Sequence, residues 1–194
     1  MKNLFVGITG ASGVIYGLRL VKVLVASGHR VHLCASEWGQ KVVAQETGTR
    51  WAAWVEKWKP SGLVTVHDQA ALGSGPASGS FPLDAALVVP CSVSTLGHLA
   101  SGAATNLIHR VGAVALKEGR PFVVVPRESP LGLIELRNLT ALAEAGAIIV
   151  PAMPGFYHRP KTLEELIDHL VGKILDRVAI PHELFPRWEG QEFS

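Results

Sequence analysis

Short apolar runs alternate with helical patterns along almost the whole chain, and this alternation limits the fold more than any other feature of the sequence. Strands are predicted over residues 4–9, 31–35, 63–66, 85–90, 122–125 and 147–150. Helices are predicted over residues 14–26, 40–46, 106–118, 131–145 and 162–178, with another beginning in the Ser/Thr cluster at 92–95. Strands that alternate with helices form a parallel sheet covered on both faces. The sequence therefore predicts an α/β fold, a Rossmann-like or flavodoxin-like doubly wound parallel sheet, in a single domain over residues 1–194.

Two local patterns add detail to this interpretation. Thr162 and Glu165 have the spacing of a capping box at the start of the last predicted helix. Trp51, Trp54 and Trp58 recur at helical spacing and share one face. Such a face is typical of a core or of a contact between subunits.

Charge and composition exclude several classes of protein. The 194-residue chain has a formal net charge of +2, and its basic residues are scattered rather than gathered in a nucleic-acid-binding stripe. No apolar stretch approaches the roughly 20 residues of a membrane span, and the first residues lack the apolar region of a signal peptide. Cys34 and Cys91 lie far apart, and the eight histidines form no metal-binding pattern. We expect a cytoplasmic protein with no metal, no nucleic acid and no membrane partner.

Polar side chains follow several of the predicted strands, at the point where each strand ends. In doubly wound sheets, ligands bind at this carboxyl edge. Two groups also have a purely structural interpretation. Ser92, Ser94 and Thr95 could cap a helix, and Arg127 could form an ion pair with Glu128. The residues in question are Ser12, Ser36, Ser92, Ser94, Thr95, Arg127 and Glu128.

The turn after the first strand, at residues 9–13, carries two glycines and a serine before a helix. Backbone amides and a hydroxyl at a helix N-terminus favour an anion, although a merely tight turn would also use glycine. The glycines do not follow the GxGxxG spacing of dinucleotide-binding proteins. In a dinucleotide-binding protein an acidic residue that binds ribose is expected at the end of the next strand, where this chain has Ser36. Glu37 follows directly and leaves a nicotinamide cofactor as the weaker alternative. The turn therefore favours the phosphate of a mononucleotide.

These residues together resemble the flavin prenyltransferases, the UbiX family, over nearly the whole chain. The resemblance rests on many short stretches in the family's order rather than on any one motif. They are residues 9–13 with 16–17, 46–47, 77–80, 90–92, 95–96, 106–108 with 110, 115–118, 126–128, 154–158 and 186–188.

The resemblance implies a Rossmann-like flavoprotein that assembles as a homododecamer. It implies an enzyme that joins a dimethylallyl group to N5 and C6 of reduced FMN. The donor is dimethylallyl phosphate or pyrophosphate, and the sequence leaves both open. The product, prenylated FMN, is required by partner decarboxylases of the UbiD type.

The resemblance also implies a role for individual residues. Gly10, Ala11, Ser12, Ser36, Ser92, Val93, Ser94, Thr95 and Arg127 would hold FMN. Ser12, Glu46 and Glu128 would shape the reactive centre. Arg110, Lys117, Tyr157, Lys173 and Trp188 would bind the allylic donor.

Many members carry Arg at the position of Lys173, and Lys keeps the charge but lacks the bidentate fork of a guanidinium group. The C-terminal segment at about 180–194, which includes Trp188, is expected to close over the site or over a neighbouring subunit.

Two other functions remain compatible with the residues. A cysteinyl decarboxylase of related fold would bind oxidised FMN, but its catalytic His followed by a Pro-Ala-Ser-Ala-Asn-Thr-type stretch is not found. A non-catalytic carrier subunit would bind FMN and deliver it to a decarboxylase. Such a carrier needs no donor-phosphate site, so Glu46, Lys117, Glu128 and Tyr157 together favour the enzyme.

Overall fold

Six parallel strands form one sheet at the centre of the computed structural model, which describes residues 1–188 and 190. The strands are β1 (Asn3–Ile8), β2 (Arg30–Ala35), β3 (Val64–His67), β4 (Ala85–Cys91), β5 (Phe122–Pro126) and β6 (Ile148–Ile149). Their order across the sheet is β3-β2-β1-β4-β5-β6. This is the Rossmann order of a doubly wound sheet, so the predicted fold class is confirmed.

Within the described residues, seven α-helices cover the two faces of this sheet. They are α1 (Val14–Ala26), α2 (Glu37–Thr47), α3 (Trp51–Trp58), α4 (Val93–Ser101), α5 (Leu107–Lys117), α6 (Leu133–Glu144) and α7 (Leu163–Arg177). Among the described residues, no helix is both long enough and apolar enough to cross a membrane.

Alternate residues of each strand face different helices, because successive side chains of a strand point to opposite faces. Leu4 and Val6 belong to an apolar cluster that includes α1 and α7. Phe5, between them, belongs to a second cluster that includes α4, α5 and α6. Trp58 is buried in the first cluster, against which Trp51 and Trp54 also pack, so the tryptophan face contributes to the core of this chain.

Two helix starts differ from the prediction because side chains cap the backbone at other places. Helix α2 begins at Glu37 rather than at residue 40, since Ser36 Oγ accepts a hydrogen bond of 3.0 Å from the Gly39 amide. Helix α6 begins at Leu133 rather than at residue 131. Its cap is formed by Glu135, whose Oε2 accepts a 2.9 Å hydrogen bond from the Gly132 amide.

The capping-box prediction for α7 is half correct. Thr162 Oγ1 accepts a 3.2 Å hydrogen bond from the Glu165 amide, as expected. The Glu165 carboxylate, however, accepts from the amide of Lys161 at 2.5 Å. The cap therefore reaches one residue further back along the chain than the standard motif.

Candidate active site

A cleft of about 500 Å³ lies at the carboxyl edge of the sheet, at the starts of α2, α4 and α5. Its volume is in the range of small-molecule sites. All the residues expected to hold FMN line it, and Glu128 lines it too. The predicted members are Gly10, Ala11, Ser12, Ser36, Ser92, Val93, Ser94, Thr95 and Arg127.

Thr9 joins the two central strands directly beneath this cleft. Its hydroxyl donates to the Pro90 carbonyl at 2.8 Å and accepts from the Ser92 amide at 2.8 Å. The Thr9 amide also donates to the Pro90 carbonyl, at 3.2 Å. Because Thr9 is only 1% exposed, this connection is shielded from water and fixes the ends of β1 and β4 relative to each other.

Two serines of the cleft start helices that approach it. Ser36 caps α2, and Ser92 caps α4 by accepting a 3.3 Å hydrogen bond from the Thr95 amide. The capping interpretation is therefore correct for Ser92, Ser36 caps a helix without having been predicted to, and both serines also line the cleft. The first amides of a helix have no partner within the helix, and the helix dipole makes this end favourable for an anion.

The start of α1 is occupied by a carboxylate of the chain itself. Glu46 Oε2 accepts from the Gly13 amide at 3.0 Å and from the Val14 amide at 3.2 Å. Glu46 belongs to the last turn of α2, within the helix predicted over residues 40–46. The last amide of the glycine turn and the first amide of α1 are thus already satisfied by Glu46, which moves the expected phosphate position toward the starts of α2 and α4.

The glycine turn lies directly against α2. A Cβ atom at Gly10 would lie 2.6 Å from the Cβ of Trp38, and one at Gly39 would lie 2.5 Å from the Ile8 carbonyl oxygen. Side chains at either position would therefore push the first turn of α2 away from the cleft. Glycine is required here for the close approach of two backbones.

Arg127 and Glu128 follow β5, and both are exposed in the cleft. Among the ion pairs of the described residues none joins these two, so the structural-pair interpretation is not supported. Glu128 Oε1 instead accepts a 3.1 Å hydrogen bond from the Ser129 amide. Burial raises the pKa of Tyr16, and the positive charge of Arg127 partly opposes this effect.

One wall of the cleft was not predicted as a site. Thr105 Oγ1 lies 3.1 Å from His109 Nδ1, and Asn106 caps α5 by accepting from the His109 amide at 3.0 Å. The His98 ring meets the His109 ring edge to face at 4.5 Å. Burial and the nearby His98 lower the pKa of His109 to about 4, so its ring is neutral near pH 7. Glu37, Trp38 and Gln69 complete the unpredicted lining. Of these residues, only Asn106 belongs to one of the short stretches that carry the family resemblance, residues 106–108.

The residues expected to bind the allylic donor do not line this cleft in a single chain. Arg110 Nε donates to the Ala77 carbonyl at 3.1 Å, and Lys117 pairs with Glu118 at 2.9 Å. A Cβ atom at Gly79 would lie 3.4 Å from Lys117 Nζ. Arg110 and Lys117 therefore lie beside the loop at residues 75–80.

Tyr157 and Trp188 form a second group on the side of α7. Their rings meet edge to face at 5.9 Å, and both line a cavity of about 290 Å³. Lys173 is exposed on α7, and its charge acts on His169 one turn earlier in the same helix. Glu189 and residues 191–194, which belong to the predicted closing segment, lie outside the described residues.

The fold and the cleft define a flavin-binding protein of the doubly wound class, and a family model described as Flavoprotein matches residues 1–182. The flavin prenyltransferase UbiX of Halalkalibacterium halodurans is 45% identical over 192 residues, which cover 96% of this chain and 93% of the relative. The chain belongs to the UbiX family of flavin prenyltransferases.

Two solved structures agree with this membership. AnUbiX (PadA1), in complex with FMN and dimethylallyl pyrophosphate, has a TM-score of 0.92 and 36% identity, covering 98% of this chain and 99% of that one. A dodecameric FMN-dependent UbiX-like decarboxylase from Escherichia coli O157:H7 has a TM-score of 0.90 and 36% identity. The match covers 97% of this chain and 100% of the Escherichia coli chain.

Proposed function

We propose that this chain joins the dimethylallyl group of an allylic phosphate to N5 and C6 of reduced FMN held in the cleft. The observation that carries the proposal is the convergence of all nine predicted FMN residues on one cleft at the carboxyl edge of the sheet. Membership of the flavin prenyltransferase family supports the same reaction.

The arrangement of charges favours one orientation of FMN. Ser36, Ser92 and Arg127 offer two hydroxyls, the starts of α2 and α4, and a guanidinium group to the phosphate. The start of α1 is less suitable, because Glu46 already occupies it. The glycine turn and Ser12 are then free to lie beside the reacting ring.

Reduced FMN supplies the electron-rich N5 and C6 atoms, and the protein has two further tasks. Breaking the C–O bond of the donor leaves a phosphate whose charge must be stabilised, and Lys117, Lys173 and the Tyr157 hydroxyl suit this task. The bond to N5 replaces the broken C–O bond and releases the N5 proton. The bond to C6 consumes the double bond of the dimethylallyl group, which takes up a proton while C6 loses one, so the site needs a group that can accept and return protons. The carboxylate of Glu128, which lines the cleft, and that of Glu46, which contacts Gly13 next to Ser12, suit that role.

A complete site requires both sets of residues that bind the allylic donor to lie at the cleft. Within one chain, one set lies beside the loop at residues 75–80 and the other lies on the side of α7. We therefore propose a homo-oligomer in which neighbouring copies bring Arg110, Lys117, Tyr157, Lys173 and Trp188 to the cleft. A dodecamer like that of the Escherichia coli relative would serve. The segment at about 180–194 would close over this shared site. Delivery of prenylated FMN to a UbiD-type decarboxylase in the cytoplasm completes the proposal.

The test combines the purified protein with reduced FMN and dimethylallyl phosphate without oxygen, and then measures the mass of the flavin. A parallel reaction uses dimethylallyl pyrophosphate, and a reaction without protein is the control. We expect the flavin to gain one dimethylallyl unit with at least one donor. Unchanged FMN with both donors would overturn the proposal and favour a carrier subunit.

A further inference from the structure

A buried histidine links the backbone to the tyrosine expected to bind the donor phosphate. His169, on α7, is only 5% exposed. Its Nδ1 lies 3.1 Å from the Gly155 amide nitrogen, and its Nε2 lies 3.1 Å from the Tyr157 hydroxyl oxygen. Both ring nitrogens of His169 therefore have partners in the same loop.

The backbone partner determines the tautomer of this ring. A backbone N–H can only donate, so His169 Nδ1 must be unprotonated to accept from Gly155. In the neutral ring the proton is then on Nε2, which donates to the Tyr157 hydroxyl oxygen. The hydroxyl accepts this bond and keeps its own proton for another partner.

The surroundings of His169 favour the neutral ring. Burial lowers the pKa of His169, and the neighbouring His158 and Lys173 lower it further. The ring of His158 stacks on that of His169 at 5.0 Å with an interplanar angle of 8°. Gly155 allows the close packing, because a Cβ atom there would lie 3.1 Å from His169 Cε1.

The Tyr157 side chain is placed to meet a ligand. The residue is 48% exposed, whereas the histidine that holds its hydroxyl is buried. Lys173 follows His169 by four residues on the same helix, so its ammonium group lies on the same side of α7. A phosphate that contacts Lys173 would therefore find a hydroxyl donor close by.

We propose that His169 is a positioning residue that orients the Tyr157 hydroxyl to donate its proton to the donor phosphate. The inference rests on the proposed function, since it concerns the donor of that reaction. His169 itself touches neither the donor nor FMN. Its effect on the reaction passes through Tyr157 alone.

The kinetic test compares His169→Phe, which removes both hydrogen bonds, with His169→Gln, which keeps an amide donor toward Tyr157. We expect His169→Phe to raise the KM for dimethylallyl phosphate about tenfold, the usual effect of losing one hydrogen bond to a charged group. His169→Gln should recover most of this loss, and FMN affinity should be unchanged in both. His158→Phe is the matched control, because it keeps the ring stack and leaves the KM within about twofold of the original.

A double-mutant cycle separates positioning from a general structural role. In a Tyr157→Phe background, His169→Phe should have almost no further effect on the KM, because its only route to the donor is already lost. Equal effects of His169→Phe in both backgrounds would overturn the proposal. A wild-type protein that does not prenylate FMN at all would instead overturn the proposed function.

A spectroscopic measurement tests the tautomer without any turnover. Nitrogen-15 NMR of the histidine-labelled full chain should show an unprotonated Nδ1 and a protonated Nε2 for His169 at neutral pH. The resonance is assigned by its loss in His169→Gln. A proton on Nδ1 would overturn the proposal, whatever the kinetic result.

Discussion

Both carboxylate oxygens of Glu46 lie within hydrogen-bonding distance of the Gly13 amide nitrogen, at 3.0 and 3.1 Å. The end of one helix thereby supplies the negative charge at the start of another. An anion at a helix start is stabilised by unpaired amides and by the helix dipole. Glu46 thus connects the last turn of α2 to the glycine turn, whose residues 10–12 line the proposed reaction site.

Replacing Glu46 with Gln should separate its structural role from its chemical role. The neutral amide can still accept from one backbone amide but loses the charge at the start of α1. We expect the free energy of unfolding to fall by about 1 kcal/mol, and prenyl transfer to fall by about 100-fold or more. FMN affinity should be retained. Thermal denaturation, flavin titration and the mass of the flavin product measure the three quantities.

Glu56→Gln is the matched control for this experiment. Glu56 is an exposed helical carboxylate that pairs with Lys59. Its removal should leave prenyl transfer unchanged. Full turnover in Glu46→Gln would exclude Glu46 from the mechanism.

Ser92→Asp should separate helix capping from phosphate binding. Asp caps a helix about as well as Ser, so the free energy of unfolding without FMN should stay within about 0.5 kcal/mol. A carboxylate at the proposed phosphate position should raise the Kd for FMN at least about tenfold, by charge repulsion. Ser92→Ala provides the comparison, with a loss of about 1 kcal/mol from the missing cap. Equal FMN affinity in Ser92→Asp and the unchanged protein would place the phosphate elsewhere.

Lys173→Ala should weaken donor binding without weakening FMN binding. The variant loses a positive charge proposed to contact the leaving phosphate, and its KM for dimethylallyl phosphate should rise by about tenfold or more. Lys173→Arg keeps the charge and adds a bidentate donor, so its KM should stay the same or fall. Arg177→Ala, one turn further along α7 and equally exposed, should not change the KM. A normal KM in Lys173→Ala would remove this residue from the donor site.

The stability of the fold should decrease in mild acid because of a histidine pair between β2 and β3. His32 Nδ1 lies 2.9 Å from His67 Nε2. Burial, His67 and Arg30 lower the pKa of His32 from 6.5 to about 4, and burial lowers the pKa of His67. As the pH falls from about 6.5 to about 4, the unfolded chain takes up a proton at His32 before the folded chain does. The contribution of His32 to the free energy of unfolding is therefore fully present above this range, and it is lost as the pH falls through it.

His32→Gln tests this prediction, because it removes one titrating ring and keeps a hydrogen-bonding partner for His67. Chemical denaturation at pH 7 and pH 5 should show a smaller loss of stability in the variant than in the unchanged protein. The same loss in both proteins would contradict the assignment to His32.

The positions of the strands and their parallel direction could be predicted because buried parallel strands leave a strong local pattern. The runs at residues 4–9 and 85–90 are apolar on both faces and end at polar turns, and β1 and β4 form there. The predicted starts of α2 and α6 are each displaced from the observed ones. The side chains of Ser36 and Glu135 accept the capping hydrogen bonds and thereby determine where these helices begin. Helix patterns reveal the apolar face well and the first turn poorly.

The cleft could be predicted only where its residues follow strands. Ser36 and Arg127 are next to strand ends in sequence, so the topology alone brings them together. The contact of Glu46 with Gly13 spans 33 positions in the chain and depends on how α2 packs against α1. His98 and His109 reach the cleft from two different helices for the same reason. Tertiary contacts of this kind have no local pattern in a single sequence.

The two apolar clusters on opposite faces of the sheet can be engineered as separate units. Val123 packs in one cluster and Val124 in the other, although they are neighbours in β5. Substitutions that share no packing partners have nearly additive effects on stability. Libraries that improve each face can therefore be screened separately and then combined, and the sheet between them serves as a common support.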